Sequence, residues 1–360
     1  MPLTAIKTSN LDTTNSLFFR NRIINGAMEI DQRNAGASAT AGNNTYVTCD
    51  RWITQTSQSS KFSVQQNAGA VTPPPGFRNY LGVTTLASVS IGAADYFNVQ
   101  QRIESNNMAD LNWGTANAQN VTLSFWVRSS VTGTFGGAFL NESATRSYPF
   151  SYSISSANTW TKISVNVPGC QDGTWSTGNA LGMFVNFALA VGSDTAGTVN
   201  IWNNAFDFGP TGAQSIFGAI GNTFYITGVQ LEIGTAATAF EYRPFGTELA
   251  LCQRYYQVIA TGNAKGISMA TYYTSTNLSG LINFAVTMRT DPTFSQVTGT
   301  NYYRGQGNGG TDEFNSFTAD RASPQMLMWY NNSETSGTQG VGTVVYTNNN
   351  AAFLAVQAEL

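Results

Sequence analysis

The chain has 360 residues, of which only 10% are charged and 12% aromatic, with 35 glycines, a formal net charge of −3 and no histidine. That length exceeds one ordinary sandwich and implies two domains plus an arm, while the small negative charge offers no electrostatic footprint for nucleic acid. Without histidine there is no Ser-His-Asp or Cys-His nucleophile and no histidine-built zinc or iron centre of the usual type.

A charged fraction this low, set against a typical quarter, leaves a neutral polar surface rich in Gly, Asn, Ser and Thr. Such a surface suits β-proteins that pack against their own copies or meet uncharged sugars. Cys49, Cys170 and Cys252 are odd in number and far apart, so they read as reduced, buried, small apolar residues rather than a disulfide framework. The opening MPLTAIKTSNLDTTN lacks the basic start and apolar core of a secretory signal. No apolar run approaches the ~20 residues needed to cross a bilayer, and a soluble chain without membrane insertion is expected.

In chain order, residues 1–20 are polar and weakly patterned and read as an extended arm for docking, the alternative being a disordered tail. Phe18–Ile30 is expected to supply a first strand, and Val47–Thr54 with Lys61–Gln66 a strand pair. The three prolines of Val71–Arg78 demand a loop. Tyr80–Leu86 and Tyr96–Ile103 follow as strands, and then a long polar loop holds Trp113. Val121, Leu123, Phe125 and Val127 alternate with Thr122, Ser124, Trp126 and Arg128, the period of a half-buried strand. Further strands are expected at Thr134–Leu140, Arg146–Ile154, Thr159–Val167, Leu181–Ala190, Thr198–Trp202 and Phe224–Leu231. The last changes apolar phase across Gly228, the mark of a bulge. So many strands at near-regular spacing imply an all-β, two-sheet jelly roll over 21–245.

Pro244 and Gly246 then turn the chain. Over 246–258 a short hinge helix is expected, with Thr247 as its cap and Leu249, Cys252 and Tyr256 on one face at i, i+3 and i+7. Ile282, Phe284, Val286 and Met288 alternate before Asp291-Pro292, and Leu354, Val356, Ala358 and Leu360 alternate at the end. These patterns imply a second, smaller β-sandwich over 259–360, with a Gly-rich loop at Thr298–Thr311. No repeat of 20 to 50 residues is visible, against a solenoid.

The runs NRIINGAMEIDQRNAG, DRW at Asp50–Trp52, QQRIE at Gln100–Glu104, VTLSFWVRSS and FEYRPFGTELALCQRYYQ, with the closing FLAVQAEL, resemble a structural family of tailed bacteriophages. Its members are similar to tail fibres and appendage proteins built on a jelly roll like that of carbohydrate-binding modules. The resemblance covers residues 20 to 260 and implies a virion protein assembled in the host bacterial cytoplasm, attached to other virion proteins and acting in adhesion or structure. A capsid decoration or head fibre is the alternative, and a carbohydrate-active depolymerase a second one. Phage fibres are usually three-fold, which implies a homotrimer. Leu249, Cys252, Arg254 and Tyr256 are its interface candidates, the competing role being to seat one domain on the other.

Phage enzymes that cleave glycans use a carboxylate pair. The acidic residues, among them Asp50, Asp95, Glu104, Asp110, Glu142, Asp172, Asp194, Asp207, Glu232 and Glu241, form no recognisable motif, so no catalysis is expected. Glu29 and Asp31 stand where the resemblance admits a structural calcium; no other metal or cofactor is expected. Asp50-Arg51-Trp52 and Gln101-Arg102-Ile103-Glu104 are read first as groups that satisfy one another at strand ends. Sugar rings stack on aromatic faces while their hydroxyls seek amides and charged groups. Trp113, Trp175, Trp202, Tyr302 and Tyr303, all in Gly- or Asn-rich stretches, are therefore the candidates for holding a host-surface glycan. For each one, folding back over the core is the plainer alternative.

Overall fold

A computed structural model describes residues 19–307 and 310–360; the expected arm lies, up to residue 18, outside the described residues. The described chain forms two compact units, one of residues 19–29, 36–48 and 52–243 and one of 30–35, 49–51 and 244–360. Both are built almost wholly of antiparallel β-structure, and the described residues contain one α-helix.

The first unit is a jelly-roll sandwich. Across its six-stranded sheet the order is Ala39–Thr40, Phe62–Gln66, Leu81–Thr85, Thr223–Ile233, Val121–Ser129 and Thr161–Val167. Across the five-stranded sheet it is Trp52–Thr56, Tyr96–Glu104, Leu181–Val191, Gly133–Asn141 and Ser147–Ile154. The last long strand, Thr223–Ile233, enters between two strands laid down much earlier, so the connections cross between sheets. Period-two patterning does the work: Val121, Leu123, Phe125 and Val127 are fully buried, and Phe125 meets Phe187 of the other sheet edge to face at 5.1 Å. Each such side chain contributes about 1.5–3 kcal/mol by leaving water. The bulge falls where the phase change predicts it. Pairing with Val121–Ser129 shifts register between Thr227 and Gln230, and Gly228 sits at φ 61°.

Three expectations fail here, each for a local reason. The Phe18–Ile30 strand is absent among the described residues: Asn25 and Met28 take left-handed φ of 58° and 57°, and the N–H groups of Ile23 and Ile24 donate to side-chain oxygens of Asn21 and Gln101. The segments read as a strand pair near 47–66 do not pair, because Trp52–Thr56 joins Tyr96–Glu104 while Phe62–Gln66 joins Leu81–Thr85 in the other sheet. Thr198–Trp202 is not a strand; Ala196–Gly197 pairs in parallel with Gly209–Pro210, and Asn203 makes a single antiparallel bridge with Ser147. That excursion places Phe208 on Ala138 and Leu140, covering part of the outer face of the five-stranded sheet.

The second unit has a seven-stranded sheet ordered Gly310–Phe314, Tyr303–Gly307, Gly342–Thr347, Gly266–Thr274, Asn277–Asn283, Met326–Asn331, Thr318–Ser323, and a three-stranded sheet ordered Tyr256–Thr261, Phe353–Gln357, Thr293–Val297. Trp329 is fully buried with Phe314 and Phe317, the ring centroids 5.9 and 4.6 Å away. The helix runs Phe245–Gln253 with Pro244 at its N-cap, so it is shorter than expected and Thr247 lies inside it. Tyr256 belongs to the next strand, where pairing with Gln357 overrides the helical spacing. The strand expected to reach Met288 ends at Asn283; beyond it the alternation of burial persists, with Met288 buried and its N–H donated to the Pro324 carbonyl. The expected Thr298–Thr311 loop is instead largely a hairpin of Tyr303–Gly307 with Gly310–Phe314.

Candidate functional site

The motifs that carry the phage resemblance go to joints of the fold. In the first unit, Glu241 accepts the N–H of Asn21 at 2.8 Å, and the Arg243 guanidinium donates to the carbonyls of Asn21 and Ile23. In the second, Arg51 and Arg33 both pair with Glu359, and they lie 3.6 Å over the rings of Tyr255 and Tyr256. Arg51 is 1% exposed, so removing its partner would leave an uncompensated buried charge. The Gln32 N–H and amide donate to Asp50, and Arg289 donates to the carbonyls of Ala358 and Glu359. Trp52 is core, 6.0 Å from Phe187. These short motifs serve the fold, but their charged groups are satisfied by residues elsewhere in the chain and not by one another.

The interface candidates divide. Cys252 is fully buried, as are Tyr255 and Tyr256, whereas Leu249 is half-buried. Arg254 caps the helix, its N–H reaching the carbonyls of Ala250 and Cys252. All three cysteines are free and buried, and burial pushes the Cys49 and Cys252 thiols well above their usual range. Glu29 accepts from the Asn79 amide and Asp31 from the Asn34 N–H. Among the described residues no group of three or more His, Cys, Asp or Glu side chains could hold a metal ion.

Trp113, Trp175 and Trp202 come from three separate loops of the jelly roll and meet. Trp113 lies 4.8 Å from Trp175 and 5.3 Å from Trp202, and the last two are 5.8 Å apart, each pair edge to face. Trp113 is the anchor, 6% exposed and in contact with core Phe139 at 6.4 Å. Trp175 and Trp202 are half-buried. Every indole N–H donates to a backbone carbonyl, of Gln119, Asp172 and Pro168 respectively, so ring surface is what the cluster offers. Close packing depends on glycine. At Gly114, φ 85°, a Cβ would lie 2.9 Å from the Trp175 ring and 3.0 Å from the Gly173 carbonyl.

Polar groups ring this cluster. Arg146 pairs with Asp172 and donates to Asn204 at 2.5 Å, and Ser176 donates to Glu142. A pocket of 140 Å³ opens beside Trp113 and Trp175, with Met108 in its wall and Asn112, Ser176 and Thr177 supplying amide and hydroxyl groups; no carboxylate lines it. The carboxylates picked from the sequence are tied to the fold: Asp95 to Ser57 and Gln58, Asp110 to Arg22, Asp207 to Ser147, Glu232 to Thr238. Tyr303 is not a surface residue. It is fully buried in the second unit, its one hydroxyl proton shared between the carbonyls of Val297 and Phe353, both within hydrogen-bond distance, and burial pushes its phenol up to about 12. Tyr302 is half-buried and packs against that core. Both tyrosines belong to the second unit and the three tryptophans to the first.

No family model and no curated protein matches the chain. Among solved structures, it is similar to the enzymatically active domain of tailspike protein 4 of bacteriophage CBA120, at 13% identity and a TM-score of 0.32, over 59% of this chain and 21% of that one. It is also similar to a family 61 carbohydrate-binding module in complex with β-1,4-galactotriose, at 11% identity and a TM-score of 0.31, over 60% and 99% of the two chains. A third likeness is the family 11 carbohydrate-binding module of a Clostridium thermocellum cellulosomal cellulase, at 12% identity and a TM-score of 0.27, over 58% and 100%.

Proposed function

We propose that this protein is a structural component of a bacteriophage particle, a tail fibre or appendage. In this reading it holds a host-surface glycan at the tryptophan cluster of its jelly roll, without cleaving it. What supports glycan binding most directly is the meeting of Trp113, Trp175 and Trp202 beside a pocket edged by Asn112, Ser176 and Thr177. Half-buried indole rings whose N–H groups are already satisfied present apolar area to a sugar face. The amide and hydroxyls beside them suit its ring hydroxyls. No carboxylate is among the residues lining that pocket, which supports binding without cleavage. The particle role and the homotrimer rest on the phage resemblance and on a chain with only 10% charged residues, whose neutral surface a repeated interface would cover.

Co-sedimentation with bacterial surface polysaccharide, followed by gel filtration of that polysaccharide, tests the reading. The chain is expected to pellet with at least one polysaccharide whose length stays constant over hours. A steady fall in length would make the protein a depolymerase. Gold labelling of intact particles decides between tail and capsid.

A further inference from the structure

Strand alternation in the seven-stranded sheet of the second unit splits two adjacent aromatic pairs. Tyr272 and Trp329 point into the core, both buried, with the Tyr272 hydroxyl donated to Asp312 at 2.7 Å. Their neighbours Tyr273 and Tyr330 are thereby sent to the opposite face. There Tyr273 is 73% exposed and Tyr330 half-buried. The register sets Tyr330 beside Ser279 on one side and Thr318 on the other, with Asn277 two residues along from Ser279. The two tyrosines border an open groove of 370 Å³ whose walls also carry Asn277, Asn332, Asp320 and Arg321. That volume lies in the range of small-molecule sites.

Two core tyrosines of this unit differ from those in the groove in one respect. Tyr272 and Tyr303 are buried with hydroxyls bonded to protein. The hydroxyls of Tyr273 and Tyr330 have no partner among the described residues, although a phenol is both donor and acceptor. Arg321 is almost fully in solvent, and its contact with Asp320, at 4.0 Å, is long and exposed, so it contributes little to stability. Two rings, two amides and a loose ion pair around one groove make a surface for an uncharged, hydroxyl-bearing ring with an apolar face.

We propose that this groove is a second sugar-binding site, taking a neutral pyranose unit of a glycan against Tyr273 and Tyr330, with Asn277, Asn332 and Arg321 on its hydroxyls. It is separate from the tryptophan cluster and stands or falls independently of it. Met269, Leu281, Met326 and Val344 are exposed elsewhere in the same sheet and make a contact between copies the competing use of this surface; the groove itself is distinguished by its amides and free hydroxyls.

The test uses the full chain with ¹³C-labelled tyrosine and tryptophan rings, assigned with Tyr273→Phe and Tyr330→Phe. Glucose, galactose and N-acetylglucosamine are added to about 50 mM, enough to fill a millimolar site, with sorbitol as a polyol lacking a ring. At least one pyranose is expected to shift the Tyr273 and Tyr330 signals while sorbitol does not. Tyr273→Ala should weaken this by about tenfold or more, and Trp175→Ala should leave it unchanged. Tyrosine signals that ignore every sugar, that answer equally to sorbitol, or that move only with protein concentration overturn the second site, the last by making it a subunit contact. Shifts confined to the tryptophans would overturn it and leave the cluster reading standing; shifts confined to the tyrosines would do the reverse.

Discussion

Asp50 shows how a single buried group can set the pH response of the second unit. Burial is the largest influence on it and raises its carboxyl from 3.8 to about 6, against the lowering effects of its bonds from Gln32 and the charge of Arg33. A group whose folded-state value is raised contributes stability that is fully present below its unfolded value and is lost as pH climbs through the folded one. A shift of roughly two units corresponds to about 3 kcal/mol. The wild type is therefore expected to lose about that much between pH 4 and 7 relative to Asp50→Asn, which keeps an uncharged acceptor for Gln32. Urea unfolding at the two pH values checks this, and parallel pH profiles would contradict it. The sequence places Asp50 in a short charged motif and favours mutual satisfaction with its neighbours. It cannot show the actual partners, Gln32 for Asp50 and Glu359 for Arg51, because only the fold brings chain segments so distant together.

Among elements, those legible in the sequence are the ones whose pattern and pairing agree. Val121–Ser129 alternates in sequence and is a central strand, although Thr122 and Ser124 are buried too, so its first half is covered on both faces and not half-buried as expected; the bulge at Gly228 shows as a phase change between Ile226 and Val229. Gly228→Ala is expected to destabilise by about 1–3 kcal/mol, since it adds a Cβ at φ 61° only 2.5 Å from the Phe77 ring. Thermal unfolding would show it, and an unchanged midpoint would mean the bulge relaxes freely. Elements were misread where long-range pairing overrode local pattern. Tyr256 fits a helical stripe yet pairs with Gln357, and Tyr303 sits in a glycine-rich run yet fills a hairpin position over the core. The candidate site was half legible. Each tryptophan stands out in its loop, but their meeting follows from sheet order, which no local spacing encodes. Tyr273 and Tyr330 passed unmarked, although the adjacent pairs Tyr272-Tyr273 and Trp329-Tyr330, each within a strand, were a usable signal.

At the scale of the whole molecule, a chain with only 10% charged residues leaves neutral surface that favours self-association. Light scattering of the purified chain at micromolar concentration is expected to give three times the chain mass. A single-chain mass would remove the trimer as an intrinsic property, and a trimer that survives Leu249→Asp would remove the helix from its interface. In the proposed function the tryptophan cluster holds the glycan. The most direct test is binding of the labelled full chain to an array of bacterial surface polysaccharides, beside a Trp175→Ala variant shown to be folded by circular dichroism. The account predicts retention on at least one polysaccharide and a loss of about tenfold or more in affinity, ~1.4 kcal/mol, in the variant. Retention that is equal in the variant, or no retention on any polysaccharide, would contradict it.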